Sequence, residues 1–475
     1  MSEPGRASPA APALAAEEVE TSLYEVRKKI YMRGVSGSFA GWRIALVIVT
    51  QLVFYGMPWL TWNGRQAVLF DLVARKFYIF GLVFWPQDFI FLTALLIISA
   101  YSLFLFTAVA GRLWCGYACP QTVYTEMFMW IERRIEGDHM QRMRLDQSPL
   151  SARKFGIKAF KHGVWIAVAL WTGFTFVGYF TPITTLAVSF ASWTLGPWET
   201  FWIFFYGFAT YGNAGWMREQ VCKYMCPYAR FQSVMFDPDT LVITYDAKRG
   251  DPRGSRGKKA DPKALGLGDC VDCNICVQVC PTGIDIRKGL QYECIGCAAC
   301  IDGCDQVMDK MGYPRGLIRY STENAVAGKY ADSDIRRHVA RPRVLIYSAL
   351  LVVIVAAFFG GLLLRSPLKV DVIRDRGAMV RDAAGGRIEN VYRLQFINTD
   401  ENTHRYRVTV SGLPGLEVVA PPAIEVPPAT TQTFAVSVRA DPAGLAPGAH
   451  AIVFHINEIE RTGVRADEKS RFFVR

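Results

Sequence analysis

Cysteine is absent from everything that follows Cys304, although the 475-residue chain contains 12 cysteines. A secreted protein held together by disulfides would carry cysteines throughout its extracellular part, so this distribution argues against a disulfide framework. All 12 fall in four short motifs between Cys115 and Cys304. The thiols are therefore expected to lie in a reducing compartment and to bind metal.

Histidine is also scarce, with 6 residues, and the apolar segments carry none apart from His162 at one edge. Haem b in a membrane bundle usually needs histidines that project from the spans, so membrane haem is not expected. His404, His450 and His455 are scattered through the C-terminal part. We interpret them as ordinary surface or core residues rather than as ligands of a periplasmic metal.

The N-terminal stretch lacks the basic start and apolar core of a signal peptide. Met1–Ala16 is rich in Ala, Pro and Ser and is predicted to be disordered, whereas Glu18–Arg33 has a helical pattern.

Long apolar runs, by contrast, are abundant, and 51% of all residues are hydrophobic. A span needs about 20 apolar residues. Five stretches are predicted to cross a membrane: Trp42–Trp62, Phe89–Ala110, Gly163–Thr181, Trp198–Ala214 and Val344–Leu364. The fourth is short and aromatic, and Tyr78–Pro86 is too short to cross, so we interpret it as an interfacial or re-entrant piece.

Basic residues predict the orientation, because cytoplasmic loops carry an excess of Lys and Arg. The loop Pro182–Pro197 has none, and the loop after the first span has only Arg65, Arg75 and Lys76. The loop between the second and third spans carries Arg112, Arg133, Arg134, Arg142, Arg144, Arg153, Lys154, Lys158 and Lys161. We therefore expect a multi-pass protein of the bacterial inner membrane, with its N-terminus and cysteine-rich segment cytoplasmic and its C-terminal part periplasmic. The lipid bilayer explains the net charge of +11 better than nucleic acid does, so no nucleic-acid partner is expected.

Two tandem four-cysteine runs predict two [4Fe–4S] clusters. In the bacterial ferredoxin pattern, the first three thiolates of a run hold one cluster and the fourth ligates the other. This crossing assigns Cys270, Cys273, Cys276 and Cys304 to cluster 1, and Cys294, Cys297, Cys300 and Cys280 to cluster 2. Zinc also binds paired C-x-x-C motifs, but it needs only four ligands. The second run ends in Asp305 rather than proline, which leaves its ligand count unchanged.

Two further motifs read C-x-Y-x-C-P, one after the second predicted span and one after the fourth, which indicates an internal duplication. They supply Cys115, Cys119, Cys222 and Cys226. If helical, the two cysteines of one motif lie on one face, about 5–6 Å apart at Cβ, too far for an ordinary disulfide. Converging thiolates would make a soft site suited to Cu(I), whereas small helix-packing residues are the alternative.

The remaining segments complete a multi-domain fold. Alternating residues at Val391–Phe396, Arg405–Val410, Glu417–Val419, Thr433–Val438 and Ala451–Ile456 predict an all-β immunoglobulin-like sandwich. The expected architecture is a cytoplasmic N-terminal segment (1–40), an α-helical membrane domain of four spans (41–218), an inserted 2[4Fe–4S] ferredoxin domain (219–342), a fifth span (343–365) and a periplasmic sandwich (366–475).

This order of parts resembles the FixG/CcoG/RdxA family of membrane polyferredoxins, accessory proteins in the assembly of cbb-type cytochrome oxidase. The resemblance rests on the spans, both C-x-x-x-C-P motifs, the eight-cysteine block and the outward β-domain. It implies an oxidoreductase that reduces Cu(II) to Cu(I) for the copper centre of the oxidase. Its implied partners are copper ions, a cytoplasmic electron donor, and oxidase assembly factors or a copper chaperone.

In the preferred hypothesis, Cys115, Cys119, Cys222 and Cys226 are the catalytic residues and bind copper. One alternative is a quinol dehydrogenase, with quinol near the aromatic spans. The other is an assembly scaffold, in which the sandwich docks an oxidase subunit or a copper carrier. The electron donor, and whether the chain forms a homo-oligomer, stay open.

Overall fold

The computed structural model describes residues 29–475 except 263, 376, 378–379 and 461–463. The disorder predicted for Met1–Ala16 and most of the helix predicted at Glu18–Arg33 lie outside the described residues.

The first half of the fold is helical. Its helices are α1 Ser38–Gly56, α2 Phe89–Ala110, α3 Leu113–Tyr117, α4 Pro120–Glu136, α5 His139–Gln147, α6 Ala152–Val177, α7 Ile183–Ala191, α8 Pro197–Thr210 and α9 Pro227–Met235. Two π-helical segments, Tyr211–Met217 and Val221–Met225, join α8 to α9. Helices α6 and α8 cross closely at Gly173, where an added Cβ would lie 2.2 Å from the carbonyl oxygen of Ile203. The absence of a side chain at Gly173 permits this approach.

Among the described residues, four helical stretches are long and apolar enough to cross a membrane. They are Ser38–Trp59, Pro86–Ala110, Ala152–Val177 and Pro342–Leu363. Four of the five predicted spans lie on these stretches. The remaining one is the fourth predicted span, Trp198–Ala214, which falls on α8, whose 14 residues continue as π-helix to Met217. At about 21 Å the α-helical part alone is shorter than the roughly 30 Å hydrocarbon core.

The link between α1 and α2 consists of strands. They are β1 Thr61–Trp62, β2 Arg65–Gln66, β3 Val68–Asp71, β4 Lys76–Ile79 and β5 Leu82–Phe84, and β3, β4 and β5 form an antiparallel sheet. The segment predicted to be an interfacial or re-entrant piece, Tyr78–Pro86, thus lies largely in β4 and β5. Two of its apolar side chains, Val83 and Trp85, are buried against Ile397 of the C-terminal sandwich.

The cysteine-rich segment folds around one antiparallel strand pair and several short helices. These elements are β6 Val242–Tyr245, α10 Ala247–Gly250, α11 Ile275–Gln278, α12 Ala299–Met311, β7 Ile318–Ser321, α13 Glu323–Val326 and α14 Ile335–Val339. Each cysteine run enters its helix through a left-handed residue. Asn274 (φ 56°) precedes α11 and Ala298 (φ 58°) precedes α12, each directly after the second cysteine of its run.

A single apolar helix, α15 Pro342–Leu363, leads to the C-terminal sandwich. Its strands are β8 Leu368–Arg374, β9 Arg381–Asp382, β10 Ile388–Asn398, β11 His404–Ser411, β12 Glu417–Val419, β13 Ile424–Val426, β14 Thr431–Ala440, β15 Gly448–Glu458 and β16 Arg465–Val474. One sheet has the order β12-β14-β10-β8, with β9 also paired to β10, and the other has the order β13-β11-β15-β16. Tyr392, Phe396, Phe454 and Phe472 are fully buried between the sheets. The predicted multi-domain fold of helices, ferredoxin segment and β-sandwich is confirmed.

The helices hold the ferredoxin segment at one end and the sandwich at the other. At the ferredoxin end, the backbone N–H of Ala40 at the start of α1 donates to Asp302 of α12 at 2.7 Å. At the sandwich end, Lys76 of β4 donates to the carbonyl oxygen of Ala429 at 2.8 Å, and Arg65 pairs with Glu401. The two ends are thus fixed by specific polar contacts.

Asp88 fixes the sandwich end most directly, because its buried carboxylate accepts hydrogen bonds from Arg365 and Lys369. We expect Asp88→Asn to leave the Arg365 guanidinium, only 10% exposed, without its counter-charge. Breaking a buried pair in this way costs about 3–5 kcal/mol. The midpoint of thermal unfolding of the purified protein in detergent should therefore fall by several degrees.

The matched control is Glu417→Gln, which breaks the exposed pair of Arg387 and Glu417. Exposed pairs contribute about 0–1 kcal/mol, so the control should melt close to wild type. Equal midpoints for the two variants would show that Asp88 does not hold the sandwich end.

Candidate functional site

The first predicted cluster set lines one small cavity. Cys270, Cys273, Cys276 and Cys304 surround a space of about 20 Å³, together with Tyr245 and Arg287 and with apolar side chains of α12 and β7. Cys273 is exposed at the surface, whereas Cys270 and Cys276 are buried. This set therefore has one edge open to solvent.

The second predicted set lines a neighbouring cavity. Cys280, Cys294, Cys297 and Cys300 surround another space of about 20 Å³, together with isoleucine side chains and Ala299. Cys276 of the first set also touches this cavity, so the two spaces are adjacent. The donor set of each cavity, four cysteines in an apolar surround, fits a cubane [4Fe–4S] cluster.

The apolar surround decides the charge state of these thiols. Burial raises the pKa of Cys294 and of Cys304 to about 12, and that of Cys276 to about 11. As bare thiols they are neutral at physiological pH. Metal ligation requires the thiolates, so binding of a metal centre here releases protons.

The two C-x-Y-x-C-P motifs share one backbone shape. Cys115 lies in the short helix α3, and Cys119 follows as the extended residue that precedes α4. Cys222 lies in the second π-helical segment, and Cys226 precedes α9 in the same way. Neither pair lies on one continuous helix, because the proline after the second cysteine begins a new helix. The i, i+4 arrangement considered from the sequence is therefore not the one adopted.

The fold brings the two motifs together. Cys115 and Cys222 pack in one apolar cluster that also contains Cys297 and Cys300 of the second ferredoxin set. Burial, with smaller contributions from Cys119, Cys115 and Cys226, raises the pKa of the Cys222 thiol to about 12. All four thiols are free. We call these four residues the four-cysteine site.

The four-cysteine site touches the ferredoxin segment backbone to backbone. A Cβ on Gly116 would lie 2.8 Å from both the nitrogen and the Cα of Cys297. Only glycine permits this approach without displacing the cluster-2 loop. The second motif has Lys223 at the matching position, so the close contact belongs to the first motif alone.

Two arginines and a glutamine next to these cysteines were missed by the sequence reasoning. Buried Arg43 donates to the carbonyl oxygen of Cys297 at 3.0 Å. Arg112 donates to Gln232 at 3.1 Å, and the Cys115 thiol donates to the same amide oxygen at 3.4 Å. A signal for Arg43 exists, because an ionisable residue inside an apolar span is a functional candidate by default. Gln232 has no such signal, since it reaches Cys115 only through the packing of α9.

Two cavities adjoin the four-cysteine site. A space of about 30 Å³ lies between Cys222 and Cys297 and is lined also by Glu126, Met129 and Glu219. A larger one of about 400 Å³ lies beside it, and Arg218 lines both. His162, Trp165 and Trp216 form the aromatic part of the larger cavity, and Lys158, Lys161 and Glu132 are among its charged lining residues.

The three C-terminal histidines form hydrogen bonds with different partners. His404 bonds to Glu458 and Asp400, at 2.7 and 3.0 Å. His455 bonds to Asp467 and Ser411, both at 2.7 Å, and His450 bonds to a backbone carbonyl. The three rings therefore have different partners.

Comparison with family models matches three parts of the chain. Residues 217–323 match a 4Fe-4S dicluster domain, and residues 91–137 match a 4Fe-4S binding domain. Residues 358–475 match the Ig-like fold at the C-terminal of FixG, which agrees with the immunoglobulin-like sandwich.

Relatives match most of the chain. The nitrogen fixation protein FixG of Rhizobium meliloti (strain 1021) is 40% identical over 430 residues, which cover 84% of this chain and 82% of the relative. Protein RdxA of Cereibacter sphaeroides is 38% identical over 421 residues, covering 86% and 88%. Protein RdxB of the same organism is 39% identical over 421 residues, covering 87% of each. Among solved structures, a FixG-related protein from Vibrio parahaemolyticus is 28% identical and covers 23% of this chain and 97% of its own, with a TM-score of 0.21. With its ferredoxin-type domains, its apolar helices and these relatives, the chain belongs to the FixG/RdxA family of iron–sulfur electron-transfer proteins.

Proposed function

We propose that this protein is a membrane-bound iron–sulfur oxidoreductase that reduces Cu(II) to Cu(I) for the copper centre of a cbb-type cytochrome oxidase. The observation that carries the proposal is the order of the three cysteine sets. The first set has an exposed edge, the second is buried beside it, and the four-cysteine site packs on the second through Gly116. Soft thiolates at the last position favour the Cu(I) product.

The eight ferredoxin cysteines are proposed as the ligands of two [4Fe–4S] clusters, in the crossed sets that line the two cavities. When bound, the clusters supply one-electron carriers. The chain's own residues set their surroundings: Arg287 lies beside Cys276, and Arg43 lies beside Cys297. A cation favours the extra negative charge of the reduced state, so both arginines should ease reduction.

Cys115, Cys119, Cys222 and Cys226 are proposed as the catalytic residues. Two versions of the last step are open to them. They bind copper directly, as the sequence indicates, or they hold the last electron carrier and copper is reduced beside them. In either version, one electron converts one Cu(II) to Cu(I), and the cysteines are required.

The proposed orientation places the ferredoxin end in the cytoplasm of a bacterial cell and the sandwich in the periplasm. The basic residues between the end of α2 and the first half of α6 support this orientation, because cytoplasmic segments carry an excess of Lys and Arg. The electron donor is then a cytoplasmic reductant, and an oxidase assembly factor or copper carrier would meet the sandwich.

A quinol dehydrogenase is the second candidate function. The cavity of about 400 Å³ that shares Arg218 with the smaller space at Cys222 favours it, because His162 and the Trp165 and Trp216 rings line the cavity near the ferredoxin end of α6. Reduction of the clusters by a quinol analogue, under conditions where Cu(II) leaves them reduced, would select this candidate.

The proposed copper chemistry predicts the behaviour of Cys222→Ser. Pre-reduced, anaerobic protein is mixed with Cu(II) in a stopped-flow instrument, while visible absorbance follows the clusters and a Cu(I)-specific chelator reports the product. We expect the variant to produce Cu(I) only at the background rate of buffer and chelator, because the terminal site has lost a thiolate. The two clusters that the eight ferredoxin cysteines would hold should still be reduced by dithionite, because their ligands are unchanged.

Tyr224→Phe is the matched control, since Tyr224 lies in the same motif with a side chain 65% exposed. It should reduce Cu(II) at the wild-type rate. A wild-type rate in Cys222→Ser would remove the four-cysteine site from the mechanism.

The contact between Gly116 and Cys297 yields a separate prediction. Gly116→Ala must push the two backbones apart, so Cu(II) should oxidise the pre-reduced protein more slowly while the total absorbance change stays the same. Overpacking of this kind also costs about 1–3 kcal/mol of stability. Gly163→Ala in α6 is the control, because nothing lies within 4 Å of its added Cβ. Identical oxidation rates in the two variants would show that the close approach is irrelevant to electron transfer.

A further inference from the structure

The cysteine count leaves one complete ligand set unassigned. The chain has 12 cysteines, and two cubane clusters take eight of them. The four that remain are those of the four-cysteine site, two from each C-x-Y-x-C-P motif. A cubane cluster in a Cys₄ site needs that number.

The two matched iron–sulfur domains contain unequal numbers of cysteines. The 4Fe-4S binding domain at 91–137 contains only Cys115 and Cys119, which is half a ligand set. The dicluster domain at 217–323 contains the eight ferredoxin cysteines and also Cys222 and Cys226, two more than two clusters use. The two cysteines that the first region lacks for a full ligand set are therefore matched by the two that the second region has in excess. The fold places these halves side by side, with Cys115 and Cys222 in one apolar cluster.

The backbone around the site favours an anionic group. Cys119 and Cys226 are the residues that precede α4 and α9, helices of 17 and 9 residues that both begin with proline. Two helix N-termini, with their unpaired N–H groups and positive dipole ends, therefore start at the site. Each motif also ends in Cys-Pro, as the first ferredoxin run does at Cys280-Pro281.

A cation also lies next to the site. Arg112 donates to the amide oxygen of Gln232 at 3.1 Å, and the Cys115 thiol donates to the same oxygen at 3.4 Å. A metal centre held by four thiolates carries a net negative charge, which the Arg112 guanidinium and the two helix N-termini would partly offset.

We propose that Cys115, Cys119, Cys222 and Cys226 together hold a third [4Fe–4S] cluster, bridging the two halves of the membrane domain. Its role as the last electron carrier rests on the proposed function and selects the second version of the last step. Cu(II) then takes one electron beside the site instead of binding to all four thiolates. The cluster itself stands on the ligand arithmetic and the geometry.

The test is the iron and acid-labile sulfide content of the full-length protein, purified anaerobically in detergent and reconstituted with iron and sulfide. Three clusters give about 12 iron and 12 sulfide per chain, whereas two give about 8 of each. The count on the wild-type protein needs no variant. About 8 iron per chain, above all with one copper bound, would overturn the proposal.

Variants then locate the third cluster. The double variant Cys115→Ser/Cys222→Ser should lose one third of the iron and sulfide, and one electron paramagnetic resonance signal of the dithionite-reduced protein. Cys270→Ser, in the first ferredoxin set, should lose a similar amount of iron but a different signal. A double variant with the wild-type iron content and an unchanged spectrum would refute the assignment.

The iron count tests the third cluster, and the copper assay tests the proposed function, so the two can be refuted separately. If the double variant loses one third of its iron yet reduces Cu(II) at the wild-type rate, the third cluster stands and the proposed terminal step falls. If wild type holds 8 iron and the double variant cannot reduce Cu(II), the third cluster falls and direct copper binding by the four thiolates stands.

Discussion

The approach of the Gly116 backbone to that of Cys297 is the contact on which the arrangement of the redox site depends. It joins a membrane-domain motif to the loop of the second ferredoxin set with no side chain between them. Around it, Asp302 caps the start of α1 and Arg43 holds the Cys297 carbonyl, so the same loop is tied to the first helix as well. The ferredoxin segment is therefore an integral part of the membrane domain rather than a tethered module.

A second constraint is the ionic network beneath this contact. Glu132 of α4, almost fully buried, pairs with Arg142, Lys161 and Arg218, and Glu136 pairs with Lys158 and Lys161. Several basic residues that predict the orientation by charge counting are thus internal partners of carboxylates. They position α4, α6 and the first π-helical segment against one another. Since removal of one partner from such a network leaves a buried charge, the network favours one packing of these elements.

Local pattern predicted much of the fold and part of the site. The ferredoxin runs were recognisable because their cysteines are close in sequence, and five strands of the sandwich were recognisable from strict alternation. Strands β8, β9, β13 and β16 were not predicted. In β16, a strand at the edge of its sheet, the segment Arg465–Arg471 is mostly polar, and only Phe472 and Val474 are both apolar and buried. The convergence of the four-cysteine site was out of reach for a different reason. It depends on how α3 and the second π-helical segment pack across the bundle. That packing cannot be inferred from the residues next to each cysteine in the sequence.

The split origin of the four-cysteine site also has a consequence for biosynthesis. Cys115 and Cys119 emerge from the ribosome before α4–α8, while Cys222 and Cys226 follow them, and the loop that covers Gly116 comes later still. Under the proposal that all four cysteines hold one metal centre, the early pair has an incomplete ligand set until Cys222 and Cys226 are synthesised. A chain that stalls before Cys222 then carries only two of the four ligands.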